Sequence, residues 1–345
     1  MYYKVTVITP CYNVEETIQR ELNSLINQTM DFNNIEVILY DDGSVDNTKK
    51  IINEYSEEYD NITAIFGTEN RGPGFGKNKC LEKATGEYVL FLDADDEFDL
   101  EMCDRLYSTA KSENADIVAC GVLRHDKLNI TKKKLEYDDS KSLENTEDKV
   151  TFIGKNIFYL NDNLTTHCLF KQKIIKDNDI KFLETYYAED IYFKAIYRIH
   201  AQKLIYLKKY FGYIHNAYTD SITSRIDLND LNKIQDVHLK ILEEVKKYDV
   251  DLAYLFQNHI TCSLIRLYAL NLIKSPKNEV ISFLKRMREF EIAINFNHIN
   301  NFLVNTLNKL ILKEKYNLAH AYLHFLRAIY NSKMLKKAYR IFSKK

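Results

Sequence analysis

The distribution of glycine constrains this sequence more than any other single feature. All nine glycines lie at or before Gly212, and from Tyr213 onward the sequence has one proline, Pro276. A long stretch without these residues favours uninterrupted helices. Apolar residues also recur there at helical spacing, as in Leu318, Tyr322, Phe325 and Ile329. The sequence therefore predicts an all-helical region from about residue 226 to the end.

The first 120 residues alternate between two other patterns. Residues 5–8 form a continuous β-branched run, which is typical of a strand buried on both faces. Similar runs follow at 35–40, 62–66 and 88–92, and helical patterns lie between them, the second and third at 46–59 and 74–84. The spacing of Asn13 and Glu16 predicts a capping box at the start of the first helix. This order predicts a doubly wound, mostly parallel sheet, which binds ligands beyond the carboxyl ends of its strands.

Charge and cysteine usage add to this division into two domains, 1–225 and 226–345. The first carries a net charge of -10 and the second +9, which favours different partners for the two parts. The six cysteines are scattered without a CxxC pair, so neither a disulfide framework nor a zinc site is expected. No apolar run is long enough to span a membrane, and no signal peptide is evident. These features predict a reduced, cytoplasmic protein.

A glycine-rich segment, ENRGPGFGKN, spans residues 69–78. It does not match a phosphate-binding P-loop, because Arg71 stands at the required first glycine and Asn78 at the required Ser or Thr. Lys77 stands at the third glycine of the dinucleotide-binding fingerprint. The remaining pattern is a loop that leads into a helix, with Arg71 and Lys77 available to a diphosphate. The alternative is an ordinary turn with a solvated lysine.

An acidic cluster follows the fourth predicted strand in the stretch FLDADDEFD. Its acids are Asp93, Asp95, Asp96, Glu97 and Asp99. Such carboxylates repel one another unless a cation lies among them, and Mg²⁺ or Mn²⁺ typically uses one or two carboxylates with substrate phosphates. A calcium loop needs glycine where Phe98 stands, and phosphatases of the haloacid dehalogenase type usually have Thr or Val at the position of Glu97. An acidic surface turn is the remaining alternative.

Two further motifs follow the first and second strands, namely residues 11–13 (CYN) and residues 41–44 (DDGS). An acidic residue after the second strand can bind a base or a ribose, although DDGS alone also suits a turn. Together with GKNKCLEKATGEYVLFLDADD, the stretches VITPCYN and DDGS resemble the family 2 glycosyltransferases of the GT-A fold over about the first 100 residues. The resemblance implies an inverting, metal-dependent, hexosyltransferase-type enzyme. Its nucleotide-sugar part would span about 1–120 and its acceptor part about 150–225.

The resemblance also implies donor-binding residues. Pro10, Tyr12 and Asn13 would border the nucleobase, and Asp42 would bind a uracil ring. Lys77 stands where the family commonly has arginine, and with Arg71 it would contact the diphosphate.

The acidic cluster would hold the metal. Asp95, together with Asp93, would ligate Mn²⁺ or Mg²⁺, and Asp93 or Asp96 would assist at the ribose or the metal.

The acceptor side would supply the catalytic base. Asp190 would deprotonate the acceptor hydroxyl, with Glu189 as the competing candidate, although such a pair is also common in the first turn of an ordinary helix. The segment 213–223 would close over the diphosphate, with contacts from His215, Ser221 and Thr223. The acceptor would be a glycan, a teichoic acid or a lipid-linked glycan in cell-surface polysaccharide synthesis, and no nucleic acid is expected as a partner. A metal-dependent phosphohydrolase and a catalytically silent scaffold for glycan assembly remain alternatives.

Two features of the helical part have alternative interpretations. His320 and His324 stand four residues apart, but without a third ligand they predict a surface or core pair rather than zinc. Apolar side chains alternate with cations near the end of the sequence, as in an interfacial helix at the inner face of a membrane or in a solvated terminal helix. The apolar members are Leu326, Ile329, Leu335, Ile341 and Phe342.

Overall fold

The computed structural model describes ten stretches of the chain: 3–125, 130–133, 136–137, 144–145, 149–153, 160–161, 165–216, 227–249, 275–292 and 302–331. The chain divides into two compact units, Met1–Thr219 and Asp220–Lys345.

Four parallel strands form the first part of the sheet, as the sequence predicts. They are β1 (Val5–Cys11), β2 (Ile35–Asp41), β3 (Ile62–Phe66) and β4 (Tyr88–Phe91), in the spatial order β3-β2-β1-β4. The helices between them are α1 (Ile18–Ile26), α2 (Thr48–Glu58) and α3 (Pro73–Leu81), and a short 3₁₀ turn, Phe32–Asn34, precedes β2. The carboxyl ends of these strands therefore lie along one edge, where the chemical motifs follow them.

Beyond β4 the sheet becomes mixed. Its further strands are β5 (Glu97–Phe98), β6 (Ile117–His125), β7 (Ile130–Lys133), β9 (Glu144–Asn145), β10 (Lys149–Ile153), β12 (Cys168–Lys171) and β13 (Lys203–Asn216). Strands β8 (Glu136–Tyr137) and β11 (Leu160–Asn161) pair with each other in a separate two-stranded sheet. The helices are α4 (Met102–Glu113), α5 (Gln172–Asp177) and α6 (Glu189–His200). Strand β12 lies antiparallel between β4 and β6, and β13 runs parallel to β6 on its other side.

Two hydrophobic clusters cover the two faces of the sheet. One contains Val5 and Val7 with Leu22 of α1, and the other contains Ile8 with Phe91 and Phe193 of α6. Successive residues of β1 thus point into opposite clusters, which explains why its sequence is apolar without alternation.

The polar segment 127–149, which resembles a linker in sequence, contains short strands. Among its described residues, β7 pairs with β6 and β9 pairs with β10. For these described residues the interpretation as a linker is wrong, because they pair with other strands. Charged side chains are well tolerated on such edge strands.

Asn13 does not cap the first helix, so the predicted capping box is wrong. Helix α1 begins at Ile18, and its N-cap residue, Thr17, makes no side-chain cap hydrogen bond. Asn13 instead has a left-handed backbone (φ 51°), donates its N–H to Ser44 Oγ at 3.0 Å and accepts from the Val45 N–H at 3.0 Å. Asn13 therefore forms its hydrogen bonds with the loop after β2, about 30 residues away in sequence, rather than with the start of α1.

Helices account for the described residues of the second unit, as the glycine distribution predicts. They are α7 (Leu228–Tyr248), which begins with an Asp227/Asp230 capping box, and Lys277–Ile292, Phe302–Leu312 and Tyr316–Asn331. In the last helix Leu326 is buried, whereas Leu318 and Phe325 are about half exposed. Across the described part of the chain, none of the helices is long and apolar enough to cross a membrane. Leu335, Ile341 and Phe342 of the predicted interfacial segment lie outside the described residues.

A carboxyl group is buried between α1 and β1. Glu21 is fully buried and accepts a hydrogen bond from the Thr9 hydroxyl at 2.8 Å. Burial raises the pKa of Glu21 from 4.5 to about 8, although the Thr9 hydrogen bond opposes this. The protonated form is therefore the one that the fold favours, and its contribution to stability is present below pH 4.5 and is lost as the pH rises through 8.

We expect the Glu21→Gln variant to lose part of this pH dependence. The free energy of unfolding of the parent should fall between pH 5 and pH 8, with a contribution from Glu21 of the order of 2–4 kcal/mol. Urea denaturation at both pH values measures the difference, and Glu16→Gln, at an exposed position just before the same helix, is the control. An unchanged pH dependence in Glu21→Gln would show that Glu21 is ionised in the fold.

Candidate functional site

The loops after β1 and β2 hold each other in place at the carboxyl edge of the sheet. Besides the two hydrogen bonds of Asn13, Glu15 accepts from the Asn47 side chain at 2.7 Å, and the Val14 N–H donates to Thr48 Oγ1 at 2.8 Å. Tyr12 lies between these contacts with 44% of its surface exposed. An exposed ring on a rigid loop suits stacking against a planar ligand such as a nucleobase.

Asp42 fastens the glycine-rich segment to the end of β2. Its Oδ1 accepts from the Arg71 N–H at 2.9 Å and its Oδ2 accepts from the Gly72 N–H at 2.7 Å. Burial raises the pKa of Asp42, and these two hydrogen bonds oppose the rise. The predicted contact of Asp42 with a uracil ring stays a prediction.

The glycines of residues 69–78 allow close packing of α3. A Cβ atom at Gly74 would lie 2.0 Å from the backbone oxygen of Leu183, and one at Gly76 would lie 2.8 Å from the Tyr40 ring and 3.3 Å from Pro10 Cβ. Helix α3 can therefore approach both the sheet and the segment that precedes α6.

Polar contacts join residues 69–78 to residues 182–186. The Asn78 side chain donates to the Phe182 oxygen at 2.9 Å and accepts from the Phe182 N–H at 2.8 Å. Arg71 pairs with Glu184 at 3.0 Å and stacks on Phe75, with 3.6 Å from its guanidinium carbon to the ring centroid. The Arg71 side chain remains 45% exposed, so it is accessible to an anion.

Three residues at the end of β13 contact the carboxylate of Asp96 in the acidic cluster. Its carboxylate accepts from the Tyr213 hydroxyl at 2.5 Å and from the Asn216 N–H at 2.8 Å, and His215 Nδ1 lies 3.1 Å away. The hydrogen bond to Asp96 raises the pKa of His215. Asp96 thus anchors the acidic loop to β13, and its predicted role at a ribose or a metal stays a prediction.

Two more acids of the cluster also have protein partners. Glu97 pairs with Arg20 Nε at 2.9 Å, and Asp99 accepts from the Tyr210 hydroxyl at 2.7 Å. Arg20 also donates to the backbone oxygen of Asp95 at 2.8 Å. Arg20 has no local sequence signal, because it lies on α1, about 75 residues before the loop that it supports.

Asp93 and Asp95 remain for a cation. Burial raises the pKa of Asp93 to about 8, and the charges of Asp96, Asp190 and Asp95 add to the rise while Lys77 opposes it. Burial and the charge of Asp96 also raise the pKa of Asp95. No side chain in the described stretches donates a hydrogen bond to the Asp95 carboxylate.

These two carboxylates fit a hard divalent cation. Among the described residues no three His, Cys, Asp or Glu side chains converge on one point, so the protein alone does not form a complete metal cage there. Mg²⁺ or Mn²⁺ held by one or two carboxylates and a substrate diphosphate needs no third protein ligand.

Lys77 joins α3 to the first turn of α6. Its Nζ lies 2.7 Å from Asp190 Oδ1 and 3.1 Å from Glu189 Oε1, and its side chain is 2% exposed. Burial opposes the charge, but Asp190, Glu189 and Asp93 outweigh it and hold the pKa of Lys77 well above its usual range. Burial raises the pKa of Glu189, and the charge of Lys77 opposes this rise. The geometry does not present Lys77 to solvent as a free diphosphate ligand.

The structure thus brings together most of the predicted residues near one edge of the sheet. The nucleobase-side residues lie on the loops after β1 and β2, the acidic cluster follows β4, and the acids of α6 meet Lys77. His215 contacts the acidic cluster through Asp96. Ser221 and Thr223 lie outside the described residues, and the other predicted roles stay predictions.

The same fold occurs in a solved glycosyltransferase structure. Staphylococcus aureus TarS 1–349 in complex with UDP matches with a TM-score of 0.72 at 22% sequence identity, over 94% of this chain and 91% of that one. The similarity confirms the predicted GT-A-like α/β fold with a helical C-terminal region.

Sequence comparison gives the family. The family model described as glycosyl transferase family 2 matches residues 6–176, and the chain belongs to that family. Poly(ribitol-phosphate) beta-glucosyltransferase of Bacillus spizizenii is 33% identical over 180 residues, which are 52% of this chain and 27% of that protein. Cholesterol galactosyltransferase of Borreliella burgdorferi is 30% identical over 243 residues, 67% of this chain and 65% of that protein. The chain spans less than two thirds of the length of either relative.

We expect Gly74→Ala to destabilise the junction between α3 and residues 182–186. Alanine in a helix is usually more stable than glycine by about 0.5–1 kcal/mol, but here its Cβ would meet the Leu183 oxygen, so a loss of about 1–3 kcal/mol should result. Urea denaturation measures the change, and Lys79→Ala on the same helix is the control. A gain in stability for Gly74→Ala would show that this close approach is absent.

Proposed function

We propose that this chain transfers a sugar, with inversion, from a nucleotide diphosphate to an acceptor hydroxyl, with a UDP-sugar as the donor. One observation carries the proposal: three groups of residues lie near the same edge of the sheet. They are the exposed ring of Tyr12 on the loop after β1, the carboxylates of Asp93 and Asp95 after β4, and the pair Glu189 and Asp190 at the start of α6. The first suits a nucleobase, the second a metal-bound diphosphate and the third a proton acceptor. A phosphohydrolase would need only the second.

Membership of the family supports the same activity, and the fold match to TarS bound to UDP is consistent with a uridine donor. The relatives named for poly(ribitol-phosphate) and cholesterol acceptors support a hydroxyl on a cell-surface polymer or a lipid. We propose a glycan, a teichoic acid or a lipid-linked acceptor within that class. Contact with a membrane surface through the basic C-terminus, at its cytoplasmic face, stays a prediction.

The chain's own residues would divide the reaction between them. Asp190 takes the proton from the acceptor hydroxyl while that oxygen attacks the anomeric carbon and the bond to the diphosphate oxygen breaks on the opposite face. The position of Asp190 in the first turn of α6 favours a carboxylate there. Asp95, with Asp93, would hold Mg²⁺ or Mn²⁺, which stabilises the negative charge of the leaving diphosphate. Arg71 is the exposed cation available on the donor side.

The decisive experiment measures UDP release from a panel of UDP-sugars, with and without polyol-phosphate, glycan and lipid acceptors. Transfer that requires an acceptor supports the proposal. Equal release without any acceptor would indicate a hydrolase, and no release with any donor would favour a silent scaffold.

Asp95→Ala should abolish transfer, because it removes the more open of the two candidate metal ligands. EDTA should abolish transfer by the parent, and added Mn²⁺ should restore it. Asp104→Ala, an exposed acid in the first turn of α4, is the control and should behave as the parent. Full activity of the parent in EDTA would end the assignment of a metal.

Asp190→Asn should lower kcat by about 10²–10⁴-fold, because the amide cannot accept the proton of the acceptor hydroxyl. Calorimetric affinity for the UDP-sugar should stay close to that of the parent. Asp177→Asn, at an exposed site at the end of α5, is the control. Unchanged transfer by Asp190→Asn would make Glu189 the next candidate.

A further inference from the structure

Lys77 lies among carboxylates rather than at the surface. An ammonium group has three hydrogen-bond donors, and Asp190 and Glu189 each accept one of those of Lys77. The Phe182 ring lies beneath it, 5.1 Å from Nζ to the ring centroid. The side chain therefore points into the junction between α3 and α6, whereas the exposed Arg71 of the same segment remains accessible to an anion.

Two carboxylates contact this single ammonium. They belong to Glu189 and Asp190, and both approach it from α6. Within the described residues no other cation lies within ion-pair distance of Glu189 or Asp190. Without Lys77 these acids would face one another in a buried site, where each would favour the neutral form of its neighbours.

The position of Lys77 is fixed by backbone contacts on both sides. Gly74 permits contact with the Leu183 oxygen, and Asn78 exchanges two hydrogen bonds with Phe182. Ala188, in a left-handed conformation (φ 62°), is the N-cap residue directly before α6, so Glu189 and Asp190 lie in the first turn of that helix. Lys77 on α3 thus meets the two acids in the first turn of α6.

We propose that Lys77 is the positioning residue for the catalytic base: its buried ammonium holds the carboxylate of Asp190, with Glu189 beside it, in place on the acceptor side. This inference rests on the proposed function, because it concerns the residue to which that function assigns proton abstraction. It replaces the role at the diphosphate that the sequence predicts for Lys77. A neutral acid cannot accept the acceptor's proton, so loss of the cation should act on the chemical step rather than on donor binding.

The test compares Lys77→Met and Lys77→Arg with the parent over a range of pH. Lys77→Met should lower kcat about 10²-fold and move the acid limb of the pH–rate profile upward by about 1–3 pH units, because a carboxylate without its cation binds protons more tightly. The calorimetric Kd for the UDP-sugar should change by less than about threefold. Lys77→Arg, which keeps the charge, should restore the acid limb.

Lys79→Met is the matched control, because Lys79 lies on the same helix but pairs with Glu82 at the surface. It should match the parent in kcat, acid limb and Kd. A Kd for the donor that rises tenfold or more in Lys77→Met, with the acid limb unmoved, would make Lys77 a diphosphate ligand. A lower melting temperature with kcat and acid limb unchanged would leave it a purely structural residue. Either result would overturn the inference.

Removal of a buried cation can also unfold the chain, because it leaves two carboxylates without compensation. The double variant Lys77→Met/Glu189→Gln removes one charge of each sign, and it should still show the raised acid limb. If the parent transfers no sugar from any donor, the proposed function fails, but the electrostatic part remains testable. Carboxyl ¹³C NMR should show Glu189 titrating at higher pH in Lys77→Met than in the parent, and an unchanged titration would overturn the inference.

Discussion

The ion pairs of Lys77 with Glu189 and Asp190 connect the two sides of the candidate site. Helix α3 carries the cation and follows the donor-side loops, whereas α6 carries the acids of the acceptor side. The pair is buried, so breaking it would leave charges without compensation at considerable cost. The surrounding contacts serve this junction: glycines let the elements approach, and Asn78 fixes the backbone before α6. The geometry of the proposed reaction depends on this one charge arrangement.

The acidic cluster is tolerated for several reasons rather than one. Asp96 accepts hydrogen bonds from residues of β13, Glu97 forms an ion pair with Arg20, and Asp99 accepts a hydrogen bond from the Tyr210 hydroxyl. These pairs fix the loop in place, and Asp93 and Asp95 are the two acids left to face a cation. A metal with a diphosphate therefore has to balance two carboxylates and not five, which agrees with the small number of protein ligands that Mg²⁺ typically takes.

The sequence predicted the parallel part of the fold with little error, because the period of apolar residues is a local property. The runs at 35–40 and 62–66 correspond to β2 and β3 within one residue. Local patterns gave wrong predictions where a residue bonds to a part of the chain distant in sequence. Asn13 bonds to the loop after β2 instead of capping α1, and charged residues within the segment 127–149 form edge strands. The antiparallel insertion of β12 between β4 and β6 also has no local signal, because pairing joins residues far apart in sequence.

For the site, local sequence patterns show which residue types follow which strands, and the parallel sheet brings those residues to one edge. These patterns show neither the partners of the residues nor their burial. The roles of Asp96 as an anchor, of Arg20 as a support of the acidic loop and of Lys77 as the partner of Glu189 and Asp190 emerge from the three-dimensional fold. Hydrogen bonds and ion pairs depend on distance in space and not along the chain: Lys77 and Asp190 are 113 residues apart in sequence, yet Lys77 Nζ lies 2.7 Å from Asp190 Oδ1.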